Sequence, residues 1–438
     1  MKKTITLMLL VALALSACAT PPTATEAPKA TAAPIATEAP KATAAPTTPA
    51  PRTKANPGEK ITLYHYGDVT GPYAAITAPL VSGFDDAVKA LNAKGGIRGA
   101  QVAVEWSDTG GKLENAISTY NRFREKKPLI LFMYGSTETE GLKDRLAEDK
   151  IPNLTFGVSG PGSYPPGWVF AGVPIYSDQF GLFLDWLTAN WAKVKPAKGQ
   201  NLDAPRVAVV TWDTAYGRGA LTPETQAYAD KKGVKLVSKE FLAVGAPDVT
   251  TQILAAKKAG ANVIYTNTLA HGPAQILKDS VSLGVRDEFL IGGNNWALDL
   301  SMLALAGAAS EGFYGPLPNL WWDDAGNTGI KEIEAQFKAN NRKPAEHSVG
   351  YLLTYGIVDA TRQVIEKTVD RVGFDALSGA AMYETMQTAG EIKAMEGVMT
   401  LQYSKDVRAT NKARIMQVQK GKFVPQTDWM VAPDLRPK

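Results

Sequence analysis

The sequence predicts an α/β protein whose folded part forms two doubly wound parallel-sheet lobes. Three observations predict it. Short apolar runs alternate with segments of helical period, and the alternation stops and restarts once along the chain. Several runs are apolar throughout, as strands of a parallel sheet covered on both faces are. The stretch from Gly58 to Lys438 is long enough for two domains of ~100–200 residues.

The first alternation opens with Ile61 to Tyr66, read as a strand, and a turn from Gly67 to Pro72. Ile76, Leu80, Phe84, Val88 and Leu91 then recur three and four apart, the spacing of one buried helix face. Gly95-Gly96 ends that helix. Val102 to Trp106 is the second strand, 112–124 the second helix, and Leu129 to Met133 a wholly apolar third strand. Another helix leads to a fourth strand at 151–156. A helix near 177–191 separates the halves.

The second alternation reads as strand 206–211, helix 216–232, strand 234–241 and helix 249–259. Strand 261–266, helix 272–283 and strand 289–291 continue it. Long helices at 327–340 and 349–369 follow, with short strands near 398–403 and 414–418.

The N-terminal stretch predicts export. Lys2 and Lys3 precede an apolar run from Ile5 to Leu15. That run is shorter than the ~20 residues a membrane-crossing helix needs and fits the core of a signal peptide. It ends in Leu15-Ser16-Ala17-Cys18, which resembles the bacterial lipobox, with Cys18 as the acylation site. Cys18 is the only cysteine, so neither a disulfide nor a catalytic thiol is expected. Residues 19–58 repeat Ala, Thr, Glu, Lys and Pro, with proline at Pro28, Pro34, Pro40 and Pro46. Such a segment lacks the apolar area to offset its ordering entropy and predicts an extended tether. The formal net charge is only +4, which gives no basis for nucleic-acid binding.

In open sheets of this kind, ligands sit beyond the carboxyl ends of the strands, so the strand-to-helix loops are the candidates. The first, Gly67 to Tyr73, offers the Thr70 hydroxyl, a tight turn at Gly71 and the flat ring of Tyr73. The second, Tyr134-Gly135-Ser136-Thr137, reads in two ways. Its hydroxyls meet a ligand, or one of them caps the next helix with Glu140 completing a capping box. The third carries Gly157 and Ser159, the fourth Trp212 and Tyr216, the fifth His271, and the sixth Trp296. Hydroxyls and backbone N–H groups suit a carboxylate, and aromatic faces suit an apolar body.

Enzyme signatures are absent. There is no phosphate-loop lysine motif and no helical pair of histidines for a metal. Gly157-Val158-Ser159-Gly160 lacks the glycine spacing of a hydrolase elbow. The Asp323-Asp324 loop lacks the ligand spacing of an EF-hand. No catalytic residue, metal or cofactor is expected. His65 alternates with apolar residues on a strand and reads as structural, while His347 reads as a cap or surface residue.

Several stretches resemble the type I periplasmic binding proteins, in particular the leucine/isoleucine/valine-binding branch. They are Thr70 to Tyr73, Asn92 to Gly99, Gly135 to Thr137, Ala215-Tyr216-Gly217-Arg218-Gly219, Gly292 to Asn295 and Ala309 to Phe313. The resemblance implies two lobes joined by a three-segment hinge that closes on a ligand. It implies a first lobe of 59–175 plus 314–395 and a second of 176–313 plus 396–438. It implies no enzymatic activity. The expected role is the extracytoplasmic, lipid-anchored binding component of an ABC transporter, a monomer that serves permease subunits. A ligand-sensing receptor that reports to a signalling partner is the alternative.

The same resemblance assigns site roles. Gly135, Ser136 or Thr137 falls at an anchoring loop, and Gly157 and Ser159 match a backbone group and a hydroxyl. Tyr216 matches an aromatic that arrives from the second lobe on closure, and Tyr73 a side-chain wall. Trp212 and Trp296 enlarge the aromatic lining. One departure stands out. Amino-acid binders of this family carry an acid in the loop that here reads Leu269-Ala270-His271-Gly272, and no Asp or Glu lies between Thr266 and Lys278. An unpaired buried ammonium is costly. The expected ligand is therefore a branched-chain amino acid only if Asp68, Asp213 or Asp299 substitutes, and otherwise a related small carboxylate or amide.

Overall fold

The computed structural model describes residues 50–437. The leader, Cys18 and residues 19–49 of the expected tether lie outside the described residues.

Five strands make the first sheet: β1 (Lys60–Gly67), β2 (Gln101–Asp108), β3 (Leu131–Met133), β4 (Asn153–Thr155) and β5 (Val169–Ala171). All pair in parallel, in the order β2-β1-β3-β4-β5. The chain then crosses through the helix Tyr176–Val194. The second sheet begins with β6 (Arg206–Trp212), β7 (Lys235–Leu242), β8 (Val263–Thr266), β9 (Leu290–Gly293) and β10 (Tyr314–Leu317). The chain returns to the first lobe for a hairpin of β11 (Gly390–Ala394) and β12 (Met399–Tyr403). It crosses a third time to add β13 (Lys412–Gln419), β14 (Lys422–Pro425) and β15 (Met430–Val431). The second sheet runs β14-β13-β10-β9-β8-β6-β7, with β15 on β13. The result is two lobes, each built on its own sheet, with the chain passing between them three times.

Several expectations need correction. Tyr314–Leu317, expected in the first lobe, belongs to the second sheet, parallel to β9 and antiparallel to β13. Met399–Tyr403, expected in the second lobe, pairs with β11. The expected tether ends too late, because residues from Pro51 onward dock on the first lobe. Arg52 pairs with Glu59 at 2.6 Å and Asp375 at 2.9 Å, lies over the Phe374 ring, and accepts the Phe374 N–H at its carbonyl. The single helix expected over 216–232 is two, Ala215–Arg218 and Pro223–Lys231. Thr222 caps the second through the Thr225 N–H, and Pro223 fits its first turn, where no N–H is needed.

The first lobe is closed over one face by two helices, Ala74–Ala93 and Val349–Val372. Gly83 lets them approach closely, since a Cβ there would sit 3.0 Å from the Tyr351 carbonyl oxygen. Asp86 on the first helix takes both Arg342 and the Tyr351 hydroxyl, so its buried charge is paired and hydrogen-bonded. Both sheets therefore stand with the carboxyl ends of β1, β3, β6 and β8 free to form a cleft.

Candidate ligand-binding site

In each sheet the strand order reverses at one place: between β1 and β3 in the first, between β6 and β8 in the second. A crevice opens where loops leave such a point in opposite directions. A cavity of about 690 Å³, counting its open mouth, lies against both. Gly67, Asp68 and Tyr73 line it from the loop after β1, and Tyr134 to Glu138 from the loop after β3. Tyr216 follows β6 and Leu269 follows β8. Tyr176 and Trp296 complete the wall, with Ile76 and Leu80 beneath.

The β1 loop is folded by its own acid. Asp68 accepts the Gly71 N–H at 2.6 Å and the Tyr73 N–H at 3.0 Å, and its carbonyl takes the Thr77 hydroxyl. Gly71 is required by close approach, because a Cβ would collide with the Gly110 carbonyl and the Asp68 carboxylate. Asp68 is 4 % exposed. Burial pushes its carboxyl above the usual range, with the nearby Asp108 adding to the rise.

The β3 loop ends in the helix Ser136–Asp149, whose N-cap is Gly135. Glu138, not Glu140, reaches back to this end. It accepts the Gly135 N–H at 3.2 Å, the Tyr134 N–H at 3.4 Å and the Thr109 hydroxyl at 3.0 Å. Glu140 instead takes the Ser159 hydroxyl. Glu138 is buried, and burial pushes its carboxyl up, with the Asp68 charge contributing. Ser136 is 2 % exposed, and its Oγ lies beside the Tyr176 hydroxyl without a well-formed hydrogen bond to the protein. A buried hydroxyl on the first turn of a helix, beside N–H groups with no partner inside that helix, is an arrangement that receives an anion.

The second lobe's side is aromatic. The Tyr216 ring stands 4.8 Å from Tyr176, and its hydroxyl accepts Asn294 Nδ2 at 2.6 Å. Asn294 Nδ2 also donates to Asn267 Oδ1, and Asn267 Nδ2 to the Tyr216 carbonyl, which ties the three loops together. Trp212 is fully buried behind this wall, 5.9 Å from Tyr216, 6.0 Å from Tyr73 and 4.8 Å from His271.

Of the residues expected at the site, Tyr73, Gly135, Ser136, Thr137, Tyr216 and Trp296 line the cavity. Gly157 lies behind it, where a Cβ would meet the Tyr176 hydroxyl and Trp296 Nε1. Trp212 supports the wall without lining it. Thr70, Ser159 and His271 are turned to other tasks. The Thr70 hydroxyl donates to Asp108 at 2.6 Å, Ser159 serves Glu140, and His271 packs on Trp212, with burial pulling its pKa down. Among the three acids considered as substitutes, only Asp68 faces the cavity. Asp213 pairs with Arg218 at the surface, and Asp299 caps Ser301 and takes the Val349 N–H. Glu138, Tyr134 and Tyr176 are lining residues that the loop reading did not single out.

Known proteins share this fold. The Leu/Ile/Val-binding protein homolog 1 of Brucella melitensis is 27% identical over 300 residues, 67% of this chain and 75% of that protein. A branched-chain amino acid ABC transporter protein from Thermus thermophilus, solved with bound valine, superposes with a TM-score of 0.77 at 21% identity, covering 86% of this chain and 98% of that one. A fatty acid ABC transporter substrate-binding protein from Thermomonospora curvata gives a TM-score of 0.73 at 19% identity, over 86% and 94%. Such distant structures share the fold and leave the ligand open. The pattern of the periplasmic binding protein family matches residues 61–422, most of the chain and all of the cavity's walls, and the protein belongs to that family.

Proposed function

We propose that this protein captures a branched-chain amino acid, or a related small carboxylate or amide, outside the cytoplasm and delivers it to the permease of an ABC transporter. The observation that carries this reading is the buried Ser136 hydroxyl at a helix N-terminus, without a well-formed hydrogen bond to the protein, inside a cavity whose opposite wall is aromatic and aliphatic. A carboxylate satisfies that hydroxyl and the helix dipole together. Ile76, Leu80 and Leu269 then receive an apolar body. Walls drawn from both lobes mean that ligand binding favours the closed form, which is the form a permease would recognise. Lipid at Cys18 and the proline-rich tether would keep the protein near that permease, and a monomer suffices for the task. Among the described residues no helix is long and apolar enough to cross a membrane.

Thermal melting of the full chain with amino acids, aliphatic and aromatic acids and short amides tests the proposal. A ligand at 100 times its Kd stabilises by about 2.7 kcal/mol, enough to raise the Tm clearly. Leucine, isoleucine or valine is expected to give such a rise. No rise with any member of these classes would contradict it.

A further inference from the structure

The cavity has a charge that capture of a carboxylate leaves unexplained. Its lining holds two acids, Asp68 and Glu138, and no Lys, Arg or His. Neither acid forms an ion pair among the described residues. The groups facing them are Asp108, Tyr66, Tyr73 and Tyr134, none of them a cation. Two carboxylates buried at 4 % and 7 % exposure beside one empty space are unfavourable without a positive partner.

Their hydrogen bonds make the same point. A carboxylate offers about four acceptor positions. Asp68 uses two, on the Gly71 and Tyr73 N–H groups. Glu138 uses three, on Thr109, Tyr134 and Gly135. About three positions remain, and an ammonium carries three N–H donors. The second lobe supplies no alternative, since 266–278 contains no acid and its lining residues are Tyr216, Leu269 and Trp296. The Ser136 hydroxyl on the same wall, which makes no well-formed hydrogen bond to the protein, independently asks for a polar ligand group.

Resting on the reading of the cavity as a small-molecule site, we propose that Asp68 and Glu138 anchor the ligand's ammonium from the first lobe, so that the ligand class is the free α-amino acid. The carboxylate goes to Ser136 and its helix, the ammonium to Asp68 and Glu138, and the side chain to the apolar floor. The charged end is then held before the second lobe closes.

Calorimetry on the full chain tests this with leucine, isocaproate (leucine without its ammonium) and isoamylamine (leucine without its carboxylate). Leucine should bind at least about 30-fold more tightly than isocaproate, the worth of a charge-assisted contact. Asp68→Asn and Glu138→Gln, which keep an acceptor for the loop N–H groups, should each shrink that margin. Isocaproate binding as tightly as leucine would overturn the anchor while leaving the capture site standing. So would variants that melt normally and keep the margin. Binding of none of the three probes would overturn both readings. If a variant fails to fold, the wild-type protein still decides. Leucine binding in mildly acid solution should release protons, read as a heat that differs between two buffers of unequal ionisation enthalpy, and isocaproate binding should release fewer. Equal proton release would overturn the anchor.

Discussion

The two sides of the cavity are built from the same strand-loop-helix unit and do opposite things. On the first lobe, the loops after β1 and β3 end in groups with unused hydrogen-bonding capacity: Asp68, Glu138 and Ser136. On the second, the loops after β6 and β8 end in Tyr216 and Leu269, and the polar side chains there, Asn267 and Asn294, bond one another and Tyr216. One side is left polar and open while the other is satisfied within itself. Under the proposed function, the difference assigns head-group recognition to the first lobe and leaves shape and exclusion of water to the second.

The largest expected effect breaks the second-lobe wall. Trp212→Ala removes a fully buried ring that supports Tyr73 and Tyr216, and should cost about 3–5 kcal/mol in denaturant unfolding. The first lobe has its own buried support in His65, stacked 4.4 Å from Phe84, its Nδ1 donating to the Tyr66 carbonyl and contacting the Tyr134 hydroxyl. Burial lowers the His65 pKa from 6.5 to about 4. Between these values the unfolded chain holds the extra proton, so the stability from this group is complete above pH 6.5 and is lost as pH falls toward 4. The loss amounts to about 3 kcal/mol. His65→Gln should lose correspondingly less than wild type in urea unfolding at the two ends of that window.

Smaller effects concern closure and the head group. In Gly157→Ala the new methyl meets the Tyr176 hydroxyl and Trp296 Nε1. Overpacking of this kind costs about 1–3 kcal/mol, so leucine affinity should fall about 5- to 150-fold by calorimetry. Ser136→Ala is the mildest. Its hydroxyl makes no well-formed hydrogen bond to the protein, so the ligand-free Tm should hold while leucine affinity drops about fivefold, the worth of one hydrogen bond. A loss of ligand-free stability in Ser136→Ala with affinity intact would reverse the assigned division of labour.

Much of the fold was legible because apolar runs and helical spacing reflect burial directly. Leu131–Met133 and Val263–Thr266 are wholly buried strands and read as such. β10 hid its membership, since Gly315 and Pro316 argue against an interior strand, yet it sits between β9 and β13 with Pro316 opposite Ile415. β5 is three residues long, too short for any period. At the site, the loops were legible and the acid at Asp68 was among the options. Glu138 was not, because its role depends on which residue caps the helix. With Gly135 as N-cap, Glu138 falls at the third helical position and turns inward; with Thr137 as N-cap, Glu140 would hold that position. The side-chain directions of His271 and Thr70 were not legible either, as their loops reach the cleft while their side chains turn to Trp212 and Asp108.

The most direct measurement is a crystal structure of the full chain grown with leucine. Density for the carboxylate at Ser136, the ammonium at Asp68 and Glu138, and the side chain over Ile76 and Leu80 is the predicted result. Leucine bound elsewhere, or held in this cavity with its ammonium against the second lobe, would contradict it.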